Sequence, residues 1–234
     1  MQLFKTLEFN GISVVIFNDH NFALPIWGKY SNANDISYQL ITFDYHADTH
    51  SPFANFTACS NIFAEYGPNH PAIISLLKNR HYKRRDFCFE DVLKIAEVVK
   101  NDEHIQTADW FGYINSYIVV CHLSENDAKC YQETDRRNYN AATYYTKCSF
   151  DTLPIKDIES IANTPFILDF DLDFFVSYKS FSEAFVERIS ILIKKASLIT
   201  IALEPNHCPS TEMWNSQTVL DTLIKLIECC LNSE

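Results

Sequence analysis

Glycine is scarce in this chain: four residues of 234, where average usage of about 7% predicts roughly 16. They stand apart at Gly11, Gly28, Gly67 and Gly112. A G-x-G-x-x-G dinucleotide turn and a G-x-x-x-x-G-K-[ST] phosphate loop both need clustered glycines, so both are excluded. Positive charge is also short, with 19 Lys+Arg against 30 Asp+Glu and a net charge of −11. That balance argues against a nucleic-acid backbone or an anionic membrane surface as partner, and suits cations, metal ions included. No apolar run approaches the ~18 residues that cross a bilayer. The eight cysteines contain no C-x-x-C, which removes the zinc-ribbon and thioredoxin spacings. The opening MQLFKTLEFNG has no basic stretch followed by a long apolar one. The expectation is a cytoplasmic protein whose thiols are reduced and act as small apolar side chains.

What is present is apolar bulk: 47% hydrophobic residues, with 18 Phe and 12 Tyr. That is enough for one sizeable core, so residues 1–234 are expected to form a single domain. Asn10-Gly11 between QLFKTLEF and ISVVIF is a strong hairpin signal. YQLITF (38–43) reads as a buried strand, SYIVVCHL as another over about 116–123, FILDFDLD as a third after Pro165, and SLITIAL as a fourth. Helical spacing recurs near 70–80, 89–101 and 103–114. Ser180 and Glu183 are read as the capping box of a helix over FSEAFVERISILIKKA. A last helix over 211–231 carries Val219, Leu220, Leu223, Ile224 and Ile227 on one face. Residues 124–150 are polar and Tyr-rich without a clear period, and read as loop with one strand at most. Short apolar strands alternating with helices favour an α/β fold, a three-layer α/β/α sandwich around a mostly parallel sheet.

In such a sheet, ligands bind outside the carboxyl ends of the strands. Four of the expected strands end in ionisable groups: Asp19-His20, Asp44-Tyr45-His46-Ala47-Asp48, Asp169-Phe170-Asp171-Leu172-Asp173, and Glu204. On an extended chain Asp44, His46 and Asp48 share one face, as do Asp171 and Asp173. Several carboxylates at one sheet edge repel each other and resist desolvation unless cations are bound. Taken singly, a strand-end D-x-D or Asp-His is more often a turn or capping device than a ligand. It is the convergence of all of them that points to divalent metal. Carboxylates and imidazoles without thiolate suit Mn²⁺, with Fe²⁺, Co²⁺ or Zn²⁺ as alternatives. Six candidate ligands, His20, Asp44, His46, Asp48, Asp171 and Asp173, exceed one open ion's needs and fit a two-metal site.

The D-Y-H-A-D and F-D-L-D blocks resemble the D-x-H-x-D and F-D-x-D metal motifs of the arginase/deacetylase superfamily. The stretches NDHNFALPIW, LITFDYHADTH, PFILDFDLDFF and ITIALEPNHCP resemble the peptide arginases, which modify arginine within peptides. The resemblance implies two Mn²⁺ ions per chain. His20, Asp44, Asp48 and Asp171 would hold one ion, and Asp44, His46, Asp171 and Asp173 the other, with Asp44 and Asp171 bridging. Asp169 would lie behind the ligands. Glu204 would hold the substrate guanidinium by paired charge-assisted hydrogen bonds, and Asp19 or Asp48 would relay protons. The arginase histidine of G-N-L-H corresponds here to Phe63, leaving His50, His104 and His207 as substitutes, with His50 and His207 near the substrate. The implied partner is an arginine-containing peptide or protein, converted to ornithine and urea. A deacetylase-like amidohydrolase and a non-catalytic metal-binding module are the alternatives; the chain has no His-His dipeptide, which the former branch uses. Trp110, Trp214 and the Tyr-rich 131–145 stretch would line a peptide groove or pack internally. The amphipathic last helix would pack on the domain or join a homo-oligomer.

Overall fold

A computed structural model of the chain describes residues 4–50, 87–138, 142–207, 211 and 214–232. The helical spacing expected near 70–80, together with Cys59, Phe63 and Cys208, lies outside the described residues.

The first two strands follow directly from sequence. β1 (Phe4–Phe9) and β2 (Ile12–Phe17) pair antiparallel with Phe9 opposite Ile12. The two-residue turn needs positive φ at both positions, and Asn10 (φ 49) and Gly11 (φ 84) supply it. Five further strands complete a seven-stranded sheet: β3 (Tyr38–Phe43), β4 (Ile114–Cys121), β5 (Ala142–Thr146), β6 (Phe166–Asp171) and β7 (Leu198–Ala202). Their order is β1-β2-β7-β6-β3-β4-β5. The β2–β7, β7–β6, β6–β3 and β4–β5 pairs are parallel. Every residue of β6 and β7 is buried, the signature of strands covered on both faces. This is the α/β fold expected from the alternation of strands and helices.

The chain gathers into two compact units, residues 1–20, 38–47 and 116–234 in one, and residues 21–37 and 48–115 in the other. The first contains the sheet's centre. Its helices are α4 (Glu125–Asn138), α5 (Lys147–Asp151), α6 (Ile155–Ile161), α7 (Glu183–Lys195) and α8 (Ser216–Asn232). One core joins Val14, Ile41, Leu168, Phe170 and Ile199 on the strands to Phe150, Phe185, Ile189, Val219, Leu223 and Ile227 on the helices. At its centre the Phe43 ring stacks on Phe170 (5.5 Å) and meets Phe150, Phe174 and Phe185 edge-on at 5.0, 5.5 and 5.6 Å. Each such buried ring contributes about 1.5–3 kcal/mol. Trp214 belongs to this packing, its indole N–H donating to the Phe175 carbonyl at 2.6 Å and its ring meeting Phe181 edge-on.

The second unit is helical where it is described: α1 (Ala23–Asn34), α2 (Phe89–Ala96) and α3 (His104–Trp110). No helix was expected over 23–34, and the reason is its burial. Ala23 to Gly28 are buried one after another, so α1 shows no 3.6-residue stripe. Gly28 is required there, because a Cβ would lie 2.8 Å from the Tyr113 ring.

Three other expectations are corrected. Residues 125–138 form helix α4, not loop. Its signal is the local S-x-x-D cap, in which Ser124 Oγ accepts from the Asp127 amide and donates to the Asp127 carboxylate. Ser182, not Ser180, caps α7, accepting from the Phe185 amide at 3.2 Å. β6 ends at Asp171, and Asp173 lies in the tight 3₁₀ turn Leu172–Phe174. Among the described residues, no helix is long and apolar enough to cross a membrane.

Candidate metal centre

Sheet register brings the ionisable strand ends level. Phe17 pairs with Ala202, Ala202 with Asp171, and Phe170 with Phe43, so Asp44 and Asp171 leave β3 and β6 side by side. In each case the preceding phenylalanine is anchored in the aromatic core on one face. Alternation then turns the following aspartate to the other face. His20 begins a 3₁₀ turn, His20–Phe22, three residues beyond β2. Glu204 follows β7 by two residues, at φ 37.

These residues are buried: His20 is fully so, and Asp44, Asp171, Asp173 and Glu204 are 1%, 3%, 6% and 5% exposed. His20 Nδ1 lies 3.3 Å from Asp44 Oδ2 and 3.2 Å from Asp171 Oδ2. On its other side, His20 Nε2–H donates to Asp169 Oδ2 at 2.7 Å. Asp169 is fixed in turn by its cross-strand neighbours, for Thr42 pairs with Asp169 and Asp169 with Thr200. Both hydroxyls donate to it, Thr42 at 2.8 Å and Thr200 at 2.5 Å. A carboxylate behind a histidine sets the ring's tautomer and turns the opposite nitrogen forward as an acceptor. Here that nitrogen is Nδ1, facing Asp44 and Asp171.

The electrostatics fit a site that lacks positive charge. Burial alone would lower the His20 pKa, but the Asp169 charge and hydrogen bonds with Asp169, Asp171 and Asp44 hold it well above its ordinary value. Burial pushes Asp171 up to about 7, opposed by His20 and reinforced by the charges of Asp44 and Glu204. Burial, then the charges of Asp171 and Asp44, push Asp173 up to about 8. One side-chain atom each from His20, Asp44 and Asp171 lies within 4.8 Å of the others. An imidazole nitrogen and carboxylate oxygens at this spacing, buried and without thiolate, match the donor set of a hard or borderline divalent ion. The residues present therefore fit a metal.

Asp173 and His46 form the outer side of the group. The Asp173 amide donates to Asp171 Oδ1 at 3.1 Å, and Asp173 Oδ1 accepts from the Tyr45 amide at 3.1 Å. His46 is different. Its amide donates to Asp44 Oδ1 at 2.8 Å, but its side chain is 62% exposed with Nδ1 3.6 Å from Asp173 Oδ2. β3 stops at Phe43 and the chain turns at once, so Asp44, His46 and Asp48 are carried on a turn and not on an extended strand. Asp48 is half-buried, at φ 49, and belongs to the second unit.

Asp19 is exposed. His207 is 62% exposed, with Nε2 4.0 Å from Glu204 Oε2. His50 lies in the second unit, its amide donating to the Asp102 carbonyl at 2.7 Å and its Nδ1 2.9 Å from Asp102 Oδ2. His104 is buried in that unit, its ring against Trp27 at 5.3 Å.

Sequence reasoning missed Thr42 and Thr200 as the supports of Asp169. Their signal was a polar residue inside each of two otherwise apolar strands. It also missed His122, just beyond β4. The His122 amide donates to the Tyr45 carbonyl, its Nε2 donates to the Phe174 carbonyl at 2.9 Å, and its ring stacks on Tyr45 at 5.1 Å. Burial keeps its pKa below the ordinary value. Tyr45, 43% exposed, is thereby held as a fixed aromatic face between two of the metal-site residues.

No family model and no curated protein matches the chain. Among solved structures it is similar to an arginase from Medicago truncatula, with a TM-score of 0.48 and 10% identity, covering 92% of this chain and 58% of that one. It is also similar to the Helicobacter pylori arginase, with a TM-score of 0.49 and 11% identity, covering 92% of this chain and 73% of that one. The chain thus spans 58% of the length of the Medicago arginase.

Proposed function

We propose that this chain is a two-manganese hydrolase that cleaves the guanidinium of arginine within a peptide or protein, giving ornithine and urea. The observation that carries the reading is the buried convergence of His20 Nδ1, Asp44 and Asp171 at the carboxyl edge of the sheet, with Glu204 against His20. The resemblance of NDHNFALPIW, LITFDYHADTH, PFILDFDLDFF and ITIALEPNHCP to the peptide arginases supports arginine chemistry in particular.

In this reading His20, Asp44 and Asp171 hold one ion, and Asp44, Asp171, Asp173 and His46 the other. Divalent metal supplies Lewis acidity and a water that is nucleophilic near neutral pH. The protein's own part is placement. Glu204 carries a buried carboxylate whose charge opposes that of a guanidinium, and carboxylate and guanidinium pair through two parallel hydrogen bonds. Water adds to the guanidinium carbon, the bond to the side-chain nitrogen breaks, and that nitrogen leaves as the ornithine amine after taking up a proton. The exposed Tyr45 ring, fixed by His122, offers a surface for substrate beside the centre. The arrangement thus has a binding anion, a metal-ligand set and a rim, which a storage site would not need together.

The test is mass spectrometry of arginine-containing peptides incubated with the protein and Mn²⁺, with urea assayed in parallel. The expected result is the arginine-to-ornithine mass loss with stoichiometric urea. Stable binding of a single zinc ion per chain, with release of acetate from acetylated peptides and no urea, would replace this reading with the amidohydrolase one.

A further inference from the structure

We infer that Glu204 is a positioning residue for the metal centre, holding His20 in ligating register through its backbone amide. The inference rests on the metal reading but not on arginine as substrate. The β2–β7 ladder continues past the strand ends, with the Leu203 amide donating to the Phe17 carbonyl and the Glu204 amide to the Asn18 carbonyl, both at 2.9 Å. The next rung is made by a side chain. The His20 amide donates to Glu204 Oε1 at 2.8 Å, in a buried bond between residues 184 apart in sequence.

This donor needs a partner. The amide of His20 opens a helical turn, where N–H groups have no partner within the turn, and at full burial water does not reach it. Asp19 and Asn18 precede it with exposed side chains, and the turn draws its acceptor from Glu204, just beyond β7, instead. The backbone at Glu204 is set for this contact, for φ 37 is a conformation that residues with a Cβ rarely adopt. From that bend the Glu204 side chain reaches back across the strand ends to the His20 amide.

His20 is thereby held at two points, its amide by Glu204 and its Nε2 by Asp169. With both fixed, Nδ1 faces Asp44 and Asp171. A carboxylate has about four acceptor positions, so the clamp and a guanidinium contact on the same group are compatible. Glu204 would then couple substrate binding to the geometry of a metal ligand through a single side chain.

Two substitutions separate reach from charge. Glu204→Gln keeps the length and an acceptor oxygen but loses the charge. Glu204→Asp keeps the charge but withdraws the oxygens by about 1.5 Å. Amide hydrogen exchange at His20 in the metal-free protein, and Mn²⁺ affinity by calorimetric titration, are read for both. The clamp predicts that Glu204→Gln keeps a protected His20 amide and an Mn²⁺ affinity within a few-fold of the parent. It predicts that Glu204→Asp exposes the amide to exchange and weakens Mn²⁺ roughly tenfold, the lower end of the effect of removing a ligand's support. Loss of protection in Glu204→Gln overturns the inference by itself, as does equal behaviour of the two variants. Activity does not enter: a parent that binds Mn²⁺ without releasing urea defeats the arginine reading alone.

Discussion

The candidate centre has two sides built differently. On the inner side, His20 is fully buried, with Asp169, Thr42 and Thr200 behind its ring and Glu204 on its amide. On the outer side, the His46 side chain is 62% exposed, with Nδ1 3.6 Å from Asp173 Oδ2. Asp44 and Asp171 stand between the two. The contrast teaches where preorganisation has been installed. A donor held by its own hydrogen-bond network loses little freedom when an ion arrives, whereas an exposed imidazole must be ordered at that moment. On the proposed two-ion reading, the inner position should be the tight one, and the outer position should fill later and more weakly.

Removing a shared ligand collapses the comparison and has the largest effect. Asp171→Ala should weaken Mn²⁺ at both positions, by at least about a hundredfold, beyond the range for outer-shell partners. Titration followed by the electron paramagnetic resonance of free Mn²⁺ measures this, and circular dichroism should show the fold intact. Retained two-site binding would take Asp171 out of the centre. Asp169→Asn attacks the inner side alone. The amide has one acceptor oxygen where the carboxylate serves Thr42, Thr200 and His20 together. The inner affinity should fall about 10–100-fold while the outer one changes less. An equal fall at both positions would mean that the support is not specific to His20.

The same contrast separates what could be read from sequence from what could not. The inner residues were legible because each sits at a strand's carboxyl end, and strand identity follows from short apolar runs such as YQLITF and LITIA. The hairpin was legible from Asn10-Gly11, whose backbone demand is local. The support network was not, since Thr42, Asp169 and Thr200 become neighbours only through the register of three strands distant in sequence. The local conformation of the outer side was not legible for a different reason. The alternating pattern of Asp44, His46 and Asp48 is the same in a strand and in a turn, and only the end of β3 at Phe43 shows which applies. Helix α1 was hidden because burial nearly all around its first two turns erases periodicity.

Protons distinguish the sides less sharply, and their effect is smaller. Burial, reinforced by the charges of neighbouring carboxylates, pushes Asp171 up to about 7 and Asp173 up to about 8 in the folded chain, far above the ordinary carboxylate value. Between roughly pH 4 and those values the folded state holds more protons than the unfolded one. Stability contributed by these groups is then lost as pH rises. His20, raised well above its ordinary value, has the same sign: its contribution is full below the unfolded pKa of about 6.5 and is lost as pH rises through the folded one. The metal-free protein should therefore melt at a lower temperature at pH 8 than at pH 5.5, by an amount corresponding to a few kcal/mol. Saturating Mn²⁺ should reverse the order, because a divalent ion replaces those protons. Calorimetric melting with and without chelator checks both arms, and a metal-free melting temperature that climbs toward pH 8 would contradict the assigned charge state.

The smallest expected effect is the most discriminating one. His46→Ala removes a side chain that is mostly in solvent, so the fold and the inner ion should scarcely register the change. The His46 amide, which donates to Asp44 Oδ1, is retained in the variant, so Asp44 keeps its backbone anchor. Titration should then show the first equivalent of Mn²⁺ binding within a few-fold of the parent and the second weakened or lost. If both equivalents weaken together, the two sides are one cooperative site and the exposed ring belongs to its framework. If neither changes, His46 is a surface histidine, and the second ion takes its nitrogen ligand elsewhere or does not bind. Hydrolysis measured in the same variant tells which side matters for turnover, since a chain that keeps its tight ion yet loses urea release needs both ions for the reaction.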